Sequence, residues 1–153
     1  MSTTRITRHV SAPRDAVYRA LIDANAVQQW MVPDGMTSEV HSFDAREGGA
    51  FRISLTYDAP TGTGKTNSKT DTHHGRFVKL VPSELVVQTS EFETADPALR
   101  GEMTITFMLQ DAAAGGTDIV AVHENVPPGV PPADNELGWR LSLNKLAALL
   151  ETG

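Results

Sequence analysis

The sequence predicts an α+β domain in which a curved antiparallel sheet of about seven strands wraps a long C-terminal helix, with two short helices after the first strand. Three observations carry this. Segments that alternate apolar and polar residues follow one another across short turns, as in an antiparallel meander. Helical patterns occur only towards the two ends of the chain, which segregates helices from strands. The last helix is strongly apolar and needs a sheet to receive it.

The first strand is expected over Thr3 to Val10, with Ile6 and Val10 among polar neighbours. Ala12-Pro13 opens a helix, because proline is tolerated in the first turn, and Asp15 suits the positive end of its dipole. Ala16, Val17, Ala20 and Leu21 share one helical face. A second short helix, Ala24 to Trp30, stops before the turn signal Pro33-Asp34-Gly35. Strands follow at Ser38 to Phe43 and Phe51 to Tyr57, with a turn at Glu47-Gly48-Gly49. Asp58 to Thr70 reads as a long polar loop. Gly75 to Val81 and Leu85 to Phe92 read as a hairpin joined at Pro82-Ser83, and Met103 to Leu109 and Thr117 to Glu124 as a second. The last helix is expected after the stiff Pro127 to Pro132 connection. Asp134 is its N-cap, and Leu137, Trp139, Leu141, Leu143, Leu146, Ala147 and Leu150 form its buried face.

At 153 residues the chain has the length of one domain, residues 1–153, and can bury roughly 70% of its unfolded surface without a covalent staple. It has no cysteine, which excludes disulfides, thiolate metal sites and a cysteine nucleophile. The net charge of −6, with arginines scattered singly, argues against a nucleic-acid partner. No apolar run is long enough for a membrane span, and Met1 to Arg8 is polar with no signal-like segment. Cytoplasm is the expected location.

Several phrases, in this order and spacing, carry a resemblance. They are Ser11-Ala12-Pro13-Arg14-Asp15-Ala16-Val17-Tyr18-Arg19-Ala20-Leu21 with Trp30, Gly48-Gly49-Ala50-Phe51-Arg52-Ile53, and Gly75-Arg76-Phe77-Val78 running to Pro82-Ser83-Glu84-Leu85-Val86. Gly115-Gly116-Thr117, His123-Glu124 and Gly138-Trp139-Arg140-Leu141-Ser142-Leu143-Asn144-Lys145-Leu146 complete them. From about Thr3 to Leu150 the chain resembles the START-like (SRPBCC) superfamily, in its activator of heat-shock-protein-90 ATPase, polyketide cyclase-like branch. The resemblance implies a helix-grip fold with a hydrophobic cavity between sheet and C-terminal helix. It implies no single activity. Members bind lipids, polyketides and other apolar molecules, or assist other proteins.

Binding of a small hydrophobic or amphipathic molecule is therefore the first functional expectation. A cofactor-independent cyclase, hydratase or hydrolase using the same cavity is the second, and a chaperone-assisting role is the third. No cofactor and no metal are expected, and a homodimer is possible. The cavity candidates are the large apolar or polar-tipped residues Trp30, Met36, Phe51, Ile53, Tyr57 and Phe77, with Met103, Ile105 and Trp139. His73 and His123 join them as polar groups able to orient a ligand, and His123 is the candidate acid or base.

Three motifs read more plainly. Ala59 to Thr66 spells A-P-T-G-T-G-K-T, close to a phosphate loop. The residues after it, Asn67 to Thr72, lack the apolar face of the helix such a loop requires, so it reads as a polar loop. His73-His74 cannot easily chelate one ion, because neighbours on a strand point to opposite faces. Thr89, Glu91 and Glu93 share a face, which is solvated if it is the outer one.

Overall fold

The computed structural model describes residues 2–32, 35–57 and 70–151. Its elements run β1 (Ser2–Val10), α1 (Arg14–Leu21), α2 (Ala24–Trp30), β2 (Met36–Phe43), β3 (Ala50–Tyr57), β4 (Thr70–Val81), β5 (Leu85–Phe92), β6 (Met103–Asp111), β7 (Thr117–Val126) and α3 (Pro132–Glu151). The seven strands form one sheet in the order β1-β7-β6-β5-β4-β3-β2, and every neighbouring pair is antiparallel. The α+β helix-grip architecture is as the sequence predicts.

The sheet curves because its ladder is interrupted. Register shifts fall between Ser2 and Thr4, between Val40 and Ser42, and between Phe77 and Lys79. An extra residue on one strand bends it and increases its twist. Gly75, on β4, allows a close approach: a Cβ there would sit 1.8 Å from the carbonyl oxygen of Thr89 and 2.8 Å from the Phe51 ring.

The concave face receives the helices. Asp23 caps α2 by accepting from the amides of Asn25 and Ala26. The buried Trp30 at its end donates its indole N–H to the Ala20 carbonyl at 2.9 Å, which locks α2 onto α1. Ile6, Val10, Val17, Leu21 and Phe107 close the core around the second half of α3, where Leu143, Leu146 and Ala147 are buried. Among the described residues no helix is long and apolar enough to cross a membrane.

Four local expectations change. The last helix begins at Pro132, so Asp134 lies inside its first turn rather than at the N-cap. Proline suits the first helical position because its missing N–H has no intrahelical partner there. Pro13 likewise precedes α1, and its carbonyl accepts from Ala16 and Val17. Strand β4 starts at Thr70, where a loop was expected, because Thr70 and Asp71 continue the ladder with Thr56 and Leu55. Leu137, expected on the buried face of α3, is 57% exposed. The turn at Pro33-Asp34 and the phosphate-loop-like Ala59 to Thr66 lie outside the described residues.

Candidate functional site

The two halves of α3 differ in what they meet. The second half packs into the core. The first half stands off from the sheet and leaves a cavity of about 690 Å³. Leu141, Ser142 and Trp139 form its helix side, and inward residues of β3 to β7 form its sheet side. Two loops close over it. Leu99 precedes β6 and Val130 precedes α3, and the loops are tied by the Gly129 N–H donating to the Ala98 carbonyl at 2.6 Å.

Seven of the eleven residues singled out from the sequence lie on this wall: Met36, Tyr57, His73, Met103, Ile105, His123 and Trp139. Four do not. Trp30 and Phe77 are fully packed in the core. Phe51 and Ile53 border a crevice behind α2 that has no room for a water molecule. Their large apolar side chains fit a core as well as a cavity, and composition does not separate the two uses.

An aromatic row divides core from cavity. Phe107 meets Trp30 edge-on on the core side, at 6.1 Å between ring centroids, and Trp139 on the cavity side at 5.7 Å. Trp139 in turn meets the His123 ring edge-on at 5.7 Å. These tilted arrangements are the favoured ones for ring quadrupoles.

His123 is the most constrained polar group here. Its Nδ1 receives the Trp139 indole N–H at 3.0 Å and faces the Asn135 amide nitrogen at 3.2 Å. That amide also donates to Thr4 Oγ1 at 2.9 Å, which joins β1, β7 and α3. An indole nitrogen can only donate, so Nδ1 must carry a lone pair and the ring proton sits on Nε2. The Nε2–H points at the Met103 sulfur, 3.1 Å away. Burial and the neighbouring His73 push the His123 pKa down to about 4, against an opposing pull from Asn135. The ring is thus neutral near pH 7, with its proton on the Met103 side.

The two adjacent histidines separate. His73 lies on the cavity wall, while His74 sits on the outer face between Glu91 and Glu93, at 3.0 and 3.1 Å. Arg52 grips Glu93 with two hydrogen bonds of 2.8 and 2.9 Å and, with His74, holds that carboxyl down at about 2. Among the described residues no three His, Asp or Glu side chains gather as a metal site would require.

The model of the family described as activator of Hsp90 ATPase homolog 1-like protein matches residues 11–151. The chain belongs to this family. It is similar to the crystal structure of CV1439 from Chromobacterium violaceum, at 34% identity and a TM-score of 0.86, with 99% of each chain covered. MLL2253 from Mesorhizobium loti shares the fold at 20% identity and a TM-score of 0.72, over 99% of this chain and 98% of that one. DynU16, a protein in the dynemicin biosynthetic locus, shares it at 23% identity and a TM-score of 0.69, over all of this chain and 48% of its own. Among curated proteins none matches.

In this member of the Hsp90 ATPase activator homolog 1-like family, the wall holds further polar residues beyond Tyr57, His73 and His123 that the sequence did not single out. Gln88 and Ser90 on β5, and Ser142 and Asn135 on α3, all line the cavity. The strand alternation held the signal for two of them. If Thr89, Glu91 and Glu93 face solvent, Gln88 and Ser90 must face inward beside Val86.

Proposed function

We propose that this protein binds one small hydrophobic or amphipathic molecule, lipid- or polyketide-like, between the sheet and the first half of α3. The observation that supports this is the 690 Å³ hollow in a fold whose remaining interior is packed around large side chains. A ligand burying about 200 Å² of apolar surface would gain roughly 5 kcal/mol before ordering costs. Met36, Met103, Ile105 and Trp139 would meet its apolar part, and His123 its polar end.

The chemistry of His123 favours binding over turnover. A general base needs a free lone pair aimed at the substrate. Here the lone pair is engaged by Trp139, and the other nitrogen carries the proton. Native mass spectrometry of freshly purified protein tests the reading. The expected result is a stoichiometric adduct lost on denaturation. Bare protein, together with no binding across a panel of lipids and aromatic polyketides, would overturn it.

A further inference from the structure

We infer that the molecule held in the cavity is uncharged and places a carbonyl-type oxygen against a polar patch formed by Gln88, Ser90 and His123. This deepens the ligand-binding reading above and rests on it.

The sheet register brings the three together. Gln88 is the Cα partner of Ile105 on β6, and Ile105 is the partner of His123 on β7. All three residues line the cavity, so they form one row across three neighbouring strands. Ser90 and its partner Met103 line the same wall two residues further along β5 and β6.

Gln88 is 5% exposed and Ser90 3%. Neither side chain finds a hydrogen-bond partner among the described residues, and both border the cavity. Among the described residues the enclosed unpaired side-chain atoms are Ser2 Oγ and Ser38 Oγ, so the polar atoms of Gln88 and Ser90 open onto the cavity, where a ligand acceptor can replace water. The third member, His123 Nε2–H, is paired only with a thioether, which is a weak acceptor. The flexible Met103 side chain can yield that place to a better acceptor.

The chemistry of the patch selects its ligand atom. The Gln88 amide, the Ser90 hydroxyl and the His123 Nε2–H can all donate, and the last can only donate. A carbonyl-type oxygen, with two lone pairs and no proton of its own, can accept from two of these donors. These donors are all neutral, so a carboxylate there would lack a compensating cation from the patch. Asp96 and Asp134, which also border the cavity, add repulsion. A ketone, ester or quinone-type oxygen meets the requirement.

The test is a titration of the full chain, followed by NMR, with three probes of equal length: 2-decanone, decane and decanoate. The ketone should bind about tenfold more tightly than decane, the gain expected of one or two well-made buried hydrogen bonds. It should also shift the Gln88 side-chain amide and His123 Nε2 resonances. In Gln88→Leu the ketone's advantage over decane should fall to threefold or less, while decane still binds. Ser90→Ala gives a second, milder variant with the same direction. Equal affinity for decane and ketone, or tighter binding of decanoate, would overturn this inference and leave cavity binding standing. No binding of any of the three would overturn both.

Discussion

The indole N–H of Trp139 donates to Nδ1 of His123 across 3.0 Å, and so ties α3 to β7 at the cavity wall. The bond does two things. It satisfies a half-buried indole, and it dictates which nitrogen of His123 holds the proton. Trp139→Phe keeps much of the ring packing but removes the donor. We expect a loss of about 1–2 kcal/mol in denaturant unfolding. The His123 pKa should also move up from about 4 as Nδ1 becomes free to take a proton. Ring-nitrogen NMR of the unaltered protein should show protonated Nε2 and bare Nδ1 at pH 7.

His123 also gives stability a pH dependence with a definite sign. Its folded pKa of about 4 lies below the ordinary 6.5, so above pH 6.5 the ring is neutral in both states and nothing is lost. Between pH 6.5 and 4 the unfolded chain takes up a proton that the folded ring refuses. Stability should therefore fall across this window as pH drops, by up to about 3 kcal/mol. Glu93, held at about 2 instead of its ordinary 4.5, adds a loss only below pH 4.5. Urea unfolding at successive pH values should show the upper window vanish in His123→Gln while the lower one persists.

Gly75 should tolerate no side chain. Alanine there would drive Cβ to 1.8 Å from the backbone oxygen of Thr89, a group with no freedom to rotate away. The β4–β5 ladder would have to open. We expect Gly75→Ala to cost about 3 kcal/mol or more, read as a fall in melting temperature.

The two halves of α3 should respond oppositely to truncation. Leu143 is fully buried, and Leu143→Ala should cost about 3–5 kcal/mol. Leu137 is 57% exposed at the cavity rim, and Leu137→Ala should change stability by less than about 0.5 kcal/mol while weakening ligand binding. Paired melting and binding curves separate the two effects.

The fold was legible where inward residues are apolar. Phe51 to Tyr57, Met103 to Leu109 and the apolar run of α3 announced themselves by period, and the meander followed from their short connections. The reading faltered where strands face the cavity instead of the core. The start of β4 at Thr70 carries no apolar alternation, because Asp71 and His73 hold its inward positions. Gln88 and Ser90 went unnoticed for the same reason. A cavity wall permits polar residues that a packed core would reject, so the site erased the signal that would have located it. Conversely, Trp30 and Phe77 fill the core and not the cavity, and a large apolar side chain carries no mark of which space it fills.

On the reading proposed above, the space under the first half of α3 is kept open for a ligand. Calorimetric titration with 2-decanone, on the intact chain and on Ser142→Phe, tests it most directly, because Ser142 is buried on the helix side of that space. We expect 1:1 binding with a negative heat-capacity change in the unaltered protein, and its loss in a folded Ser142→Phe. Equal binding by the filled variant, or no binding by either, would contradict it.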